Sequence, residues 1–387
     1  MVGIGSVKAL SREGIGVVVL GCLILTYGVT LVILGMKMMV KSFLTVFLPE
    51  REKEIVNILY EKRQLSKGPR IVALGGGTGL SVLLHGIKEY TSNTTAIVTV
   101  ADDGGSSGKL REEFDILPPG DIRNCLVALA DDESLMRDLF QFRFEEGSTF
   151  KGHNFGNLFI TALSRVTGDF EKAIKESSKV LAIRGQVIPS TLIKVVLVAE
   201  HKDKTETSGE TMISKSLLPI ERIYLKPENP IPTDDALVAI READIIIMGP
   251  GSLYTSIIPN LLVSGIKESI TESKARKVYI CNVMTQAGET DGYKASDHVK
   301  AIVKHTFPGI IDYCIVNTGP IPEEFIEKYK KENSFTVIPD IQNIRDMGYS
   351  VTGEDVVNTI DYVRHNPIKL ARIVMNILEG KEAVYKR

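Results

Sequence analysis

The sequence predicts an α/β fold, a Rossmann-like, doubly wound and mostly parallel sheet, on three observations. From Arg70 onward, short β-branched runs alternate with helix-forming stretches, the pattern of a parallel sheet wrapped on both sides. Most of those runs are almost wholly apolar, as strands covered on both faces must be. Several end in glycine-rich turns that lead straight into helices, which puts functional loops at the carboxyl ends of the strands. Composition agrees: 44% of the 387 residues are apolar and 24% charged, with a net charge of −2. That balance excludes a dedicated nucleic-acid binder, which carries a basic excess. The four cysteines, Cys22, Cys125, Cys281 and Cys314, form no CxxC pair, so neither a zinc site nor a disulfide framework is indicated.

In chain order, the first element is an uncharged run, "GIGVVVLGCLILTYGVTLVILGM", Gly14–Met36. At ~1.5 Å per residue it crosses a hydrocarbon core of roughly 30 Å, and no small-residue cleavage site marks it as a secretory signal. A single span or a hairpin turning at Tyr27-Gly28 both fit the run. Lys37, Lys41, Arg51 and Lys53 follow it, against Lys8 and Arg12 before it, which places the C-terminal part in the cytoplasm. The expected division is a membrane anchor over 1–41, a charged helical linker over 42–69 and one ligand-binding domain over 70–387.

Within that domain the expected strands are Arg70–Leu74, Thr95–Val100, Ile193–Ala199, Asp244–Gly249, Lys277–Val283 and Tyr313–Asn317. Helices are expected over Leu80–Glu89, Asn157–Val166, Phe170–Leu181, Thr233–Glu242, Ile266–Ser273, Ala295–Phe307 and Glu323–Lys331. Ala199–Ser214 reads as a polar hairpin or excursion.

Five loops carry candidate chemistry. "GGGTG", Gly75–Gly79, joins the first strand to a helix, so Gly76, Gly77, Thr78 and Gly79 form a phosphate cradle of backbone N–H groups at a helix start. It is neither a P-loop nor a clean dinucleotide fingerprint. "ADDGGSSGKLREE", Ala101–Glu113, sets Asp102 and Asp103 at the end of the next strand. The pair can take ribose hydroxyls, or hold Mg²⁺ against a diphosphate. Ser106 and Ser107 then add donors in what reads as a Gly/Ser turn, and Lys109 and Arg111 either neutralise phosphate or pair with Glu112 and Glu113. In "LPPGDIRNCL", Asp121 reads as a helix cap, while Arg123 and Asn124 face the helix start; Arg123 either grips phosphate or pairs with Asp121. "KGHNFGNL" clusters His153, Asn154 and Asn157 at another helix start. "GPGSLYTSIIPNLL" supplies a second cradle, Gly249, Gly251 and a Ser252 cap, and "CNVMTQAGETDGY" a further polar strand-end loop. Two cradles in one sheet suit a ligand with two ends. No GxSxG elbow supports serine-nucleophile chemistry, and the broken fingerprint makes an NAD(P)-dependent oxidoreductase the weakest reading.

Taken in order, "GGGTGL", "VADDGGSSGKLR", "GDIRNCL", "GHNFGNL", "RGQVIPST", "GPGSLYTSIIPNLL" and "NVMTQAGETDGY" resemble the YvcK/CofD-like family, over more than four-fifths of the chain. The resemblance implies a CofD-like domain with a nucleotide-derived ligand in the strand-end crevice. The YvcK branch, the gluconeogenesis factors, implies binding of UDP-N-acetylglucosamine, regulation of cell-wall precursor supply and cell shape, and a regulated enzyme as partner. In that branch Tyr329, in "EKYKKEN", and Arg364, in "VRHNP", match positions that grip the UDP-sugar; physically, a Tyr ring stacks on uracil and an Arg clamps diphosphate. Pro367 follows where relatives carry a hydroxyl residue, so regulatory phosphorylation there is not expected. The CofD branch implies Mg²⁺-dependent transfer of 2-phospho-L-lactate, with aspartates matching Asp102 and Asp103. The motifs as they stand look like the first branch, so a binding regulator is expected ahead of a transferase. A homo-oligomer is compatible with either.

Overall fold

The computed structural model describes residues 12–47, 60–131, 134–145, 150–359 and 362–381. The chain divides into two compact units, Met1–Arg63 and Gln64–Arg387.

In the first unit, Arg12–Phe47 is one continuous helix of 36 residues. It runs through Tyr27-Gly28 without a break, so the hairpin alternative does not form. Its segment Gly16–Met39 has a mean hydropathy of 2.7 and no buried residue, and is long and apolar enough to cross a membrane. The Thr26 and Thr30 hydroxyls donate to carbonyls one turn back, Cys22 O at 2.9 Å and Thr26 O at 2.8 Å, which satisfies them inside an apolar helix. Most of the expected linker, 48–59, lies outside the described residues.

The second unit begins before the expected boundary at residue 70. Leu65 is buried, its carbonyl accepts from Ser92 N, and Asn93 Nδ2 donates to Ser66 O and Gly68 O. Twelve strands follow among the described residues: β1 (Ile71–Gly75), β2 (Thr94–Val98), β3 (Gln186–Pro189), β4 (Val196–His201), β5 (Glu206–Ser208), β6 (Ile220–Lys226), β7 (Ile245–Met248), β8 (Arg276–Ile280), β9 (Tyr313–Asn317), β10 (Ser350–Glu354), β11 (Val357–Thr359) and β12 (Val363–His365). Seven form one sheet in the order β10-β9-β8-β7-β1-β2-β3, and every pair in it is parallel. The chain starts in the middle at β1, walks outward to β3, then returns to build the other half from β7 to β10. Crossovers therefore leave in opposite directions on either side of the β1–β7 pair, and a crevice opens there above the carboxyl ends. β1, β2 and β7 are buried along their whole length; β1 and β7 are accordingly unbroken apolar runs, while β2 opens with the buried Thr94 and Thr95.

Two sheet assignments differ from the expectation. Ile193–Ala199 contributes β4, which pairs antiparallel with β5 and β6 and does not enter the parallel sheet. Val196 on it stays 40% exposed, as suits a strand covered on one face only. The third parallel strand on that side is instead β3, from the "RGQVIPST" motif. The Ala199–Ser214 excursion is the β4–β5 hairpin plus a short helix, Glu210–Lys215. Among the expected helices, Gly77–Ile87, Phe155–Thr167, Phe170–Val180, Asp234–Glu242, Ile266–Glu272, Ala295–His305 and Glu323–Lys330 all form, within a few residues of the expected ends. Gly105–Phe114, Gly120–Leu129 and Pro367–Glu379 are additional helices around the site.

Candidate functional site

The crevice at the β1–β7 switch holds a cavity of about 330 Å³. Its floor is the β1 turn, Gly76, Gly77, Thr78 and Gly79. One wall comes from the β7 turn (Pro250 to Ser252, then Thr255 and Ser256), another from the loop after β8 (Asn282 to Met284 and Gln286), and Val363, Arg364 and His365 of β12 form the rim. Local sequence explains the fit. Gly77 has φ +61°, open to glycine at little cost. A Cβ on Gly79 would sit 2.6 Å from Pro250 O and 2.9 Å from Gly251 Cα, so only glycine lets the β1 and β7 turns touch. After β7 the chain enters a π-helical turn, Leu253–Ile257, capped by the Ser252 side chain, which accepts from Thr255 N at 3.1 Å. Asn260, fully buried, donates to Gly75 O at 2.9 Å and Ser256 O at 2.8 Å, locking the end of β1 to this turn. His365 is buried and its Nε2 donates to Cys281 O at 3.2 Å; burial lowers its pKa to about 4, so it is a neutral brace for the rim.

Carboxyl groups lie along and beneath the crevice. Asp121, inside the first turn of Gly120–Leu129, accepts from the Gly77 N–H; burial first, then the charge of Asp102, raises its pKa to about 7. Glu210 reaches the crevice from the excursion helix and bonds Thr255; burial, then Asp102 and Asp121, raise it to about 9. Glu289 accepts from Ser214 Oγ at 3.0 Å and from Ser252 Oγ, and burial raises it to about 7. Each of these acids keeps its proton to higher pH than a free carboxyl, which removes much of the repulsion an anionic guest would meet.

The structure sorts the expected site residues into two groups. Gly76, Gly77, Thr78, Gly79, Gly251, Ser252 and Arg364 all line the one crevice. Asn124 lines a second cavity beside it, with its Oδ1 accepting from Arg123 Nη2. The remainder do not line the crevice. Gly249 (φ +89°) ends β7 beneath the turn. Asp102 accepts from Gly104 N at 2.8 Å and from Ser107, and burial raises its pKa. Asp103 turns away, accepting from Thr211 N at 2.9 Å and Thr211 Oγ1 at 2.7 Å. Among the described residues no three His, Cys, Asp or Glu side chains form a metal-binding group. Gly105–Phe114 is a helix and not an open turn. Ser106 and Ser107 are buried in it, and Ser106 Oγ meets His153 Nδ1 and Asn154 N, each at 3.3 Å. Asn154 caps the next helix by accepting from Asn157 N at 3.2 Å. Asp121 is not a cap, because the helix begins at Gly120 with Pro119 before it. Arg123 is half-buried; burial, then Arg143, lower its pKa to about 10. Arg111 ties Asp102 O to Val195 O rather than facing the crevice. Tyr329 packs behind the rim against Val283, Met284, Val357 and Val363, and its hydroxyl donates to Val363 O at 3.3 Å.

Sequence reasoning did not single out Glu210, Thr255, Asn282, Gln286 or the buried role of Asp121. Asn282 and Gln286 belong to a strand-end polar loop, the same signal that marked the β1 and β7 turns. Glu210 carried no such signal, since it arrives from the excursion.

An all-parallel, doubly wound sheet with paired glycine turns at its switch point defines a Rossmann-like α/β protein. The family model described as 2-phospho-L-lactate transferase CofD matches residues 71–357, and the chain belongs to this CofD family. Within it the chain is similar to proteins named gluconeogenesis factor: that of Bacillus subtilis is 50% identical over 316 residues, 81% of this chain and 100% of the relative, and that of Halalkalibacterium halodurans is 50% identical over 316 residues, 81% and 97%. A Nostoc sp. relative is 48% identical over 363 residues, 93% of this chain, so that likeness extends into Met1–Arg63. The crystal structure of a Bacillus halodurans protein superposes with a TM-score of 0.78 at 50% identity, over 80% of this chain and 100% of the other.

Proposed function

We propose that this chain is a nucleotide-sugar-binding regulator that takes UDP-N-acetylglucosamine and adjusts carbon flow into cell-wall precursors, and with it cell shape, through a partner enzyme. The observation that carries the reading is the convergence of the β1 and β7 glycine turns and Arg364 on one cavity, which offers amides and a guanidinium to a diphosphate. The likeness to relatives named gluconeogenesis factors supports a role in carbon metabolism. The apolar helix Gly16–Met39 anchors the chain to the membrane, with the ligand-binding domain in the bacterial cytoplasm.

Calorimetry of the full-length chain in detergent, with UDP-N-acetylglucosamine, UDP-glucose and NAD, each with and without Mg²⁺, tests the reading. Saturable heat is expected with the first. Arg364→Ala is expected to weaken it about tenfold or more, roughly 1.4 kcal/mol, and Lys109→Ala, exposed away from the crevice, to leave it unchanged. No heat with UDP-N-acetylglucosamine on folded protein overturns the proposal.

A transferase reading, phospho-lactyl transfer from a nucleotide diphosphate donor, is favoured by one observation, the CofD family match over 71–357. Incubation with a guanylylated lactate donor, a deazaflavin acceptor and Mg²⁺ separates the two. Product formation would place the transferase first.

A further inference from the structure

The large sheet has two ends, and the crevice occupies only one of them. Because every strand pair in it is parallel, all its carboxyl ends share one edge of the molecule and all its amino ends the other. The chain enters the second unit at the amino edge. Leu65 O accepts from Ser92 N, two residues ahead of β2, and the Arg70 N–H, one residue ahead of β1, donates to Asp244 Oδ2 at 2.8 Å. The chain that follows the apolar helix Gly16–Met39 thus arrives on the edge opposite the crevice.

A groove of about 680 Å³ opens on that same amino edge, beneath the first residues of β8, β9 and β10. Lys274, Arg276 and Lys277 line it, and Asp312 is the one carboxylate among its lining residues. Asp312 is already engaged: it accepts from Lys277 N at 2.9 Å, with the Lys277 ammonium 3.9 Å away. Arg276 donates to Ile377 O near the end of the Pro367–Glu379 helix, while Lys274 is exposed. Half-buried Tyr313, Met347 and Tyr349 form the walls. At the lip, Pro308 is preceded by Phe307, which is 37% exposed and has Lys267 Nζ 5.0 Å from its ring centroid. A surplus of cations beside aromatic rings suits the boundary between water and an anionic lipid leaflet, where phosphates meet the ammonium groups and ring bodies reach toward the glycerol level.

We propose that the amino edge is a membrane-docking face, and that the groove beneath β8–β10 takes the headgroup phosphate of an anionic phospholipid. What selects a lipid over a free anion is the anchor, since a chain held in the bilayer meets headgroups at high effective concentration. Docking by this edge turns the crevice away from the bilayer, toward the cytoplasm. The inference rests on the membrane-anchor reading and is independent of which ligand the crevice takes.

The test is energy transfer in nanodiscs that hold the full-length chain and a rhodamine-headgroup lipid as acceptor. The bilayer is phosphatidylcholine alone or an equal mixture with phosphatidylglycerol. Cys22→Ala removes the one exposed thiol among the four cysteines. A donor is then placed on Pro308→Cys at the groove lip or, separately, on Leu217→Cys. Leu217 is 81% exposed and follows Ser216, whose carbonyl lies against Gly288 in the loop after β8, at the crevice edge. Transfer from position 308 is expected to be about twofold higher in the anionic bilayer than in the neutral one, and to lose that difference in high salt. Transfer from position 217 is expected to be lower and not to rise with anionic lipid. Lys274→Glu, an exposed substitution that leaves folding aside, is expected to abolish the lipid dependence at position 308. Equal transfer from position 308 in both bilayers, stronger transfer from 217 than from 308, or a Lys274→Glu variant that behaves as the wild type overturns the proposal. A chain that does not co-migrate with the nanodiscs removes the anchor reading and this one with it. A chain that incorporates but whose amino edge is indifferent to lipid charge removes this one alone.

Discussion

Two turns of this molecule look alike on paper and behave differently in the fold. "GGGTG" after β1 and "DDGGSSG" after β2 both end a buried parallel strand, and both open a helix. After β1 the turn floors the crevice, with Gly79 pressed against the β7 turn. After β2 the polar groups are already engaged inside the protein: Asp102 with Gly104 and Ser107, Asp103 with Thr211, Ser106 with His153 and Asn154. The difference follows from topology. β1 borders the switch point, where neighbouring crossovers diverge and leave a gap; β2 lies between strands whose crossovers leave in one direction and pack together. A glycine-rich strand end floors the crevice where the topology leaves space above it, even with one of its amides, Gly77 N–H, bonded to Asp121.

The largest effect expected from this contrast is at Gly79. Valine there brings a branched side chain into Pro250 O and Gly251 Cα, which are backbone atoms with no flexible end to yield. The β1 and β7 turns must separate, and overpacking of this kind costs about 1–3 kcal/mol. Gly79→Val is therefore expected to lower UDP-N-acetylglucosamine affinity by about 5- to 150-fold, measured by calorimetry, with the far-UV circular dichroism of the wild type. Full affinity in the variant would mean that the contact between the two turns does not shape the site.

A smaller and different effect is expected at Asp103. Gly209 precedes the Glu210–Lys215 helix and has no side chain to cap it. Asp103 supplies the missing acceptor from another loop, bonding both Thr211 N and Thr211 Oγ1. Asp103→Ala is expected to cost about 1–2 kcal/mol, the usual cost of a lost cap, seen as a thermal midpoint lower by about 2–4 °C. Ligand affinity should stay within about threefold, less than 1 kcal/mol. An affinity loss as large as that of Gly79→Val would erase the distinction between the two turns.

Much of this was legible in the sequence, for identifiable reasons. β1 and β7 announce themselves because burial on both faces demands unbroken apolar runs, and the crevice followed from the glycines that end them. β3 did not, being four residues closed by Pro189, and β4 passed for a parallel strand because its apolar run hides one open face. The β2 turn misled because glycine, serine and aspartate serve a buried hydrogen-bond network as readily as a ligand, and only tertiary partners decide. Asp121 was read as a cap because it follows Pro118-Pro119-Gly120, yet the helix starts one residue sooner and frees its carboxyl for Gly77. Arg364 carried no local signal at all and was found through the resemblance; Tyr329, found the same way, proves to stand behind the rim.

The last expected effect is a pH dependence and concerns Glu210, the acid that joins the two regions. Its pKa is raised to about 9 by burial and by the charges of Asp102 and Asp121 beneath it, against an unfolded value near 4.5. The folded protein thus holds more protons than the unfolded chain across that interval. The associated stability is fully present below about pH 4.5 and is lost as pH rises through about 9. Asp121 and Glu289, both raised to about 7, act with the same sign but are exhausted by then, so between pH 7 and 9 Glu210 dominates the slope. The wild-type midpoint should keep falling over that interval. Glu210→Gln keeps the neutral form at every pH, so its curve should flatten above pH 7, matching the wild type at pH 5 and exceeding it by about 2–4 °C at pH 8. Parallel curves from pH 5 to 9 would show that neither burial nor the neighbouring carboxylates raise Glu210 in the folded protein.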